Sequence, residues 1–336
     1  MLFTSYTFIL FLAILLILYY LIPKKFQWML LLAGSIVFYC YSGWDNAAFM
    51  AVTILATWYF SNKIGQLHRQ QEVYLKENKA LLSKEEKKAY KDQVKARQKR
   101  LLLICLGIDL GILAVLKYTN FAISNVNSLL RLFQAGELQF LDLVLPMGIS
   151  FYTFQTVGYL TDVYRGKYEP QQNLAKLALF VSFFPQLVQG PISRYDDLSK
   201  TLYAEHPFDG CTISFGLQRV LWGFFKKLVI ADRILVAVNT ITKNPEQYQG
   251  IFVLVGMLFY AVQLYADFTG GIDITIGIAQ MFGIRLQENF QRPFFSKSIT
   301  EYWRRWHITM GTWFRDYVFY PISISTPMLN LSKNSR

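Results

Sequence analysis

The 336 residues are 53% hydrophobic, 17% aromatic and only 17% charged, whereas a soluble chain carries nearer a quarter charged residues. The formal charge is +12, but the cations stand beside apolar runs of membrane-spanning length, so the basic balance reports membrane topology and gives no reason to invoke nucleic acid. Cys40, Cys105 and Cys211 have no paired spacing, which leaves no disulfide framework and no metal site of the zinc type. The alternation predicts an all-α fold, a polytopic transmembrane helical bundle of about nine or ten membrane helices. No Pro/Gly/Ser-rich linker divides it, so residues 1–336 are expected to form a single domain.

In chain order, Leu2–Ile22 carries no charge and has neither a basic leader nor a small-residue cleavage site before Pro23-Lys24-Lys25. It is therefore a retained membrane helix, not a signal peptide. Phe26–Tyr41 and Asn46–Phe60 predict two more helices, both short for a full span. Ser61–Arg100 then holds twelve Lys/Arg against five acids. It reads as a basic cytoplasmic loop by the positive-inside rule, which places the N-terminus outside and Lys24-Lys25 inside. Within it, Ser83-Lys-Glu-Glu is a capping box opening a charged helix towards Arg100.

Leu101–Leu116 predicts the next span, with Asp109 inside it. Leu141–Val163 carries Ser150, Tyr152, Thr153, Gln155, Tyr159 and Asp162 in an apolar background, too many hydrogen-bonding groups for a lipid-facing helix. Leu177–Val188 is punctuated by Phe183-Phe184-Pro185 and Gln189-Gly190-Pro191 and predicts a broken or re-entrant element. Thr212–Thr240 is interrupted by Lys226, Lys227, Asp232 and Arg233, either one helix with a basic stretch or two pieces. Ile251–Phe282 predicts two spans around Tyr265-Ala-Asp-Phe-Thr-Gly-Gly-Ile-Asp. There Asp267 and Asp273 would pair with an arginine such as Arg292 or Arg304, because an unpaired charge at that depth costs at least about 2.5–3.5 kcal/mol. A proton or substrate relay through them is the alternative.

Glu301–Pro321 gathers His307, Arg304, Arg305, Arg315 and three tryptophans in one helix-length run. At helical spacing Trp303, Trp306, Met310, Trp313 and Tyr317 share a face, and Arg304, Gly311 and Arg315 share another with His307 beside it. A buried imidazole there would stay neutral and able to accept a proton. The arginines could hold phosphates in bidentate fashion or snorkel at the membrane surface. No Ser/His/Asp nucleophile motif, phosphate-cradling glycine loop or metal-spaced His/Cys cluster is present in the sequence.

Leu145-Pro-Met-Gly-Ile-Ser-Phe-Tyr-Thr-Phe-Gln, Phe184-Pro-Gln-Leu-Val-Gln-Gly-Pro-Ile-Ser-Arg, Asp267-Phe-Thr-Gly-Gly-Ile-Asp-Ile, Asn289-Phe-Gln-Arg-Pro-Phe, Trp303-Arg-Arg-Trp-His-Ile and Trp313-Phe-Arg-Asp-Tyr follow Met1-Leu-Phe-Thr-Ser-Tyr in order. With these blocks the chain resembles the membrane-bound O-acyltransferase (MBOAT) family, in its bacterial branch typified by alginate O-acetylation proteins. The resemblance implies transfer of an acyl group, commonly acetyl, to hydroxyls of an extracytoplasmic polysaccharide. Acetyl-CoA or another acyl thioester would be the donor, with no bound cofactor, and an extracytoplasmic acetyltransferase would be the partner protein in a cell membrane. It assigns His307 as the catalytic base. The candidates for substrate and donor binding are Arg304, Arg305, Arg315, Asp267, Gln155 and Gln189. The family continues past the position of Arg336 to a second histidine, so the resemblance reads this chain as truncated within a polar loop, Ile322–Arg336. Two other readings stand beside it: a transporter or flippase without acyl chemistry, and D-alanyl transfer to teichoic acid.

Overall fold

The computed structural model describes residues 3–325 except 42, 135 and 144, together with 328 and 330. Leu2 of the first apolar run and most of the polar stretch Ile322–Arg336 therefore lie outside the described residues. Every extended regular element among those described is helical, in keeping with an all-α chain. Two of these helices, Lys84–Leu132 and Ile251–Met281, are long and apolar enough to cross a membrane by length and composition. Where a single bundle is expected, contacts group the chain into two compact units, one of Met1–Leu31, Phe184–Ser193 and Asp197–Arg336, the other of Leu32–Phe183 and Arg194–Asp196.

The second unit is built on a helical hairpin. α1 (Tyr6–Leu21) and α2 (Gln27–Cys40) precede α3 (Trp44–Glu77) and α4 (Lys84–Leu132), of 34 and 49 residues. The expected loop Ser61–Arg100 is thus helical apart from a short turn. Its Lys, Glu, Gln, Leu and Arg are strong helix formers, and Val94, Gln98, Leu102, Cys105 and Asp109 are buried at three- and four-residue spacing along α4. High charge density conceals that seam in the sequence. The capping box forms as expected: Glu86 N–H donates to Ser83 Oγ at 3.2 Å, and Ser83 N–H to Glu86 Oε2 at 2.8 Å. α5 (Ile149–Tyr164) and α6 (Leu174–Ser182) pack on the hairpin. The polar side chains of α5 meet protein, with Tyr152, Thr153, Gln155, Thr156 and Asp162 all buried.

The first unit is built on α11 (Ile251–Met281). The helix runs unbroken through Gly270-Gly271, where two spans are expected. These glycines make contacts instead of a turn. A Cβ on Gly270 would lie 2.9 Å from Gly223 O, and one on Gly271 would lie 2.0 Å from Gln189 Oε1. α7 (Phe184–Gln189) follows the break at Phe183, as expected, and its carbonyls at Pro185 and Gln189 accept from the Thr275 hydroxyl at 3.0 and 2.6 Å. α8 (Tyr195–Leu202) leads to α9 (Gly210–Phe224), which packs closely along α11. Gly216 faces Gly277 and Gly223 faces Gly270, each with a backbone oxygen within 2.7 Å of where a Cβ would stand on the α9 residue. α9 passes through a π-helical turn, Phe225–Ala231, directly into α10 (Asp232–Lys243), so Thr212–Thr240 is one interrupted helix. The consecutive tyrosines Tyr19 and Tyr20 of α1 donate to Phe282 O and Met281 O at 3.1 and 2.8 Å and close the end of α11.

Candidate active site

The run Glu301–Pro321 is expected to be one helix and is broken at its centre. α12 (Ile299–Arg305) ends at an extended Trp306, and α13 (Ile308–Phe314) begins after His307, whose backbone is left-handed at φ 46°, ψ 54°. The break has a partner. Residues 289–291 pair antiparallel with 305–308: Gln291 N–H donates to Arg305 O at 2.9 Å and Ile308 N–H to Asn289 O at 3.0 Å. A continuous helix would bury those groups in its own ladder. The expected stripe Trp303–Trp306–Met310–Trp313–Tyr317 and the Arg304–Gly311–Arg315 face therefore do not exist as single helical faces. A further π-helical turn, Arg315–Phe319, shifts the register again before α14 (Tyr320–Ser323).

His307 sits at the corner. It is 8% exposed, and its Nδ1 is buried with no hydrogen-bond partner. Phe268 of α11 presents an edge to the imidazole at 4.9 Å between centroids, and Phe290 lies 6.4 Å away. A non-glycine residue in the left-handed region costs of order 1–3 kcal/mol and persists only where surroundings enforce it. Asn289 does the enforcing from a fully buried position. Its Oδ1 accepts from Thr309 N–H at 2.9 Å and Thr309 Oγ1 at 2.8 Å. Thr309 Oγ1 in turn accepts from Ile192 N–H at 3.0 Å, which ties the corner to the segment after α7. Asn289 Nδ2 is left without a partner.

Beside the corner lies a pocket of about 570 Å³ whose wall includes Lys226, Thr269, Asp273, Phe290, Arg292 and Arg305. Phe290 is shared between the pocket wall and the surroundings of the imidazole; His307 itself does not line the pocket. The expected Asp–Arg pairings are replaced by others. Asp273 binds Arg219 at 2.8 Å and also Lys226, while Asp267 binds Lys227 at 2.6 Å. Both lysines lie within the π-helical turn, and each reaches a different aspartate on α11. Arg219 also spans to Glu288 at 2.6 Å. Arg292 pairs with no carboxylate among the described residues, and Arg305 is held by Glu301.

Of the remaining candidates, Arg304 is exposed and Arg315 pairs with its neighbour Asp316 at 2.7 Å. Gln189 lies in the notch left by Gly271 and donates at 3.4 Å to the backbone carbonyl of Phe268, the residue whose ring contacts His307. Gln155 belongs to the other unit, buried with its Oε1 unpartnered. Asn289 and Thr309, which shape the corner, are not among the residues expected from sequence. Their one signal is that Asn289 opens the Asn-Phe-Gln-Arg-Pro-Phe block.

Residues 170–332, which contain this corner and pocket, match MBOAT, the membrane-bound O-acyltransferase family. Over 325 residues the chain is 37% identical to a probable alginate O-acetylase, AlgI, of Pseudomonas putida, covering 95% of this chain and 61% of that protein. Both likenesses point the same way: the chain is similar to the membrane-bound O-acyltransferase family. A peptidoglycan O-acetyltransferase of Helicobacter pylori is 31% identical over 261 residues, covering 70% of this chain and 49% of its own length. A teichoic acid D-alanyltransferase of Bacillus subtilis is 33% identical over 189 residues, covering 53% of this chain and 46% of its own length. The chain thus spans 61% or less of these family members. The match to the family begins after α5, so the α3–α4 hairpin lies ahead of it.

Proposed function

We propose that the chain is the membrane-embedded part of an O-acyltransferase that moves an acetyl group from a cytoplasmic thioester, acetyl-CoA, to hydroxyls of an extracytoplasmic polysaccharide. The observation that carries this reading is the buried imidazole of His307, with an unpartnered Nδ1, held at a corner that Asn289 enforces. In the proposed step His307 takes the proton of the acceptor hydroxyl as its oxygen attacks the thioester carbonyl. The carbon–sulfur bond breaks and the thiolate leaves with the coenzyme. Arg292, Arg305 and Lys226 line the neighbouring pocket and are the groups proposed to meet the coenzyme's phosphates. Arg304, Arg315 and Asp267, which are exposed or already paired, are proposed at most as peripheral contacts.

The bundle is proposed to be multi-pass with the N-terminus outside and the α3–α4 turn in the cytoplasm, and to work beside an extracytoplasmic acetyltransferase. In cells carrying the full-length protein, His307→Ala is expected to abolish polymer acetylation without lowering membrane abundance; retained acetylation would remove His307 from the mechanism. Purified protein with acetyl-labelled acetyl-CoA is expected to release free thiol. Label crossing the membrane without thioester cleavage would favour a transporter. The similarity to teichoic acid D-alanyltransferases makes a D-alanyl donor the second substrate to offer in that assay.

A further inference from the structure

Ahead of the family match, on the α3–α4 hairpin, a cleft of about 550 Å³ opens between His68 of α3, Lys91, Lys95 and Gln98 of α4, and Tyr164 and Arg165 at the end of α5, with Asp92 also on its wall. Lys91, Lys95 and Gln98 follow at spacings of four and three residues, so α4 turns all three to one side. Neither lysine pairs with a carboxylate among the described residues, while Arg165 faces Asp162 at 3.9 Å. Gln98 is 3% exposed, yet its Nε2 donor has no acceptor. An amide donor buried without a partner is uncommon in a folded interior, because it forfeits the hydrogen bonds water would give it.

Two further features set the chemistry of what would complete the cleft. His68 Nε2 lies 3.2 Å from Tyr164 O and donates to it, which occupies a carbonyl at the end of α5 that would otherwise repel an anion. Gln98 stands three residues, about 4.5 Å of helix rise, before the apolar run opens at Leu101, the depth at which headgroups meet hydrocarbon. Lys91, Lys95 and Gln98 on one side of α4, with Arg165 at the end of α5, line the cleft with the cationic and amide donors that a phosphate oxyanion accepts. We propose that this cleft binds a phosphate group, carried either by an anionic lipid headgroup or by a soluble phosphorylated molecule. The lysines supply charge and Gln98 supplies the buried hydrogen bond that fixes the oxyanion in place.

The test uses the full chain in neutral detergent, titrated with phosphatidylglycerol and, separately, with inorganic phosphate, and read by native mass spectrometry and thermal unfolding. The variants are K91Q/K95Q, Q98L and a control, K88Q/K99Q, which removes the same charge from exposed positions outside the cleft. The expected result is that K91Q/K95Q and Q98L each weaken binding about tenfold, the size of a lost charge-assisted hydrogen bond. The control is expected to change it by less than about twofold, as screened surface charges do. A response confined to phosphatidylglycerol assigns the lipid as the source, and a response to inorganic phosphate assigns a soluble ligand. Equal weakening by cleft and control variants, or no binding of either probe to the wild type, overturns the proposal.

Discussion

His307 owes its position to its neighbours' backbone. Ile308 N–H, Thr309 N–H and the Thr309 hydroxyl all end on Asn289, so one buried asparagine decides where the imidazole points. Asn289→Ala is expected to destabilise the protein by about 2–3 kcal/mol, the penalty of stranding buried donors, and to lower acyl transfer at least about tenfold by loosening the corner. Asn289→Asp keeps the Oδ1 acceptor and should recover part of the activity; a variant series that tracks stability alone would show that Asn289 merely holds the fold. The histidine was legible in the sequence because a lone imidazole among tryptophans is conspicuous. The asparagine was not, since its contribution depends on antiparallel pairing between residues 289–291 and 305–308, and no helical periodicity encodes such a pairing.

At the scale of elements, the glycines of α9 and α11 and the π-helical turn beyond them act together. Gly223 and Gly270 let the helices touch, and the turn then delivers Lys226 and Lys227 to Asp273 and Asp267. Gly223→Val would drive a side chain into Gly270 O, and a loss of about 3 kcal/mol or misassembly is expected, measurable as reduced yield of folded protein in detergent. Asp273→Asn leaves Lys226 without its carboxylate and Arg219 with Glu288 alone, and should cost about 1.5–3 kcal/mol, the size of a hydrogen bond to a charged group. α9 also begins on a titrating cap. The Thr212 hydroxyl and Cys211 N–H hold the Asp209 carboxyl below the usual aspartate range. A depressed carboxylate contributes stability above its unfolded pKa and loses that contribution as pH falls through the folded value. Hydrogen-exchange protection of the first turn of α9 should therefore hold at neutral pH and decline below about pH 4, and Asp209→Ala should remove the dependence. Charges at lipid depth announced that partners exist, but sequence spacing could not name them, because the π-helical turn changes which residues face α11.

For the molecule as a whole, the sequence carries the apolar runs and the likeness to membrane-bound O-acyltransferases, while the long hairpin is hidden by its own charge. α4 alone, with 49 residues, measures about 74 Å, whereas the hydrocarbon of a bilayer is about 30 Å thick. Much of the hairpin must then stand in water, which is why Ser61–Arg100 reads as a loop and folds as two helices. A cysteine at Lys79 in the turn, with the exposed Cys211 replaced, should react with a membrane-impermeant maleimide only after the cells are opened; labelling of intact cells would invert the proposed topology. The close approach of α9 and α11 has a last consequence. Helices whose peptide planes lie in van der Waals contact at Gly216–Gly277 and Gly223–Gly270 leave no gap wide enough for a methylene chain. Any acyl group travelling through this unit has to skirt that sealed pair, across the side where Trp222, Thr269 and Phe290 border open space.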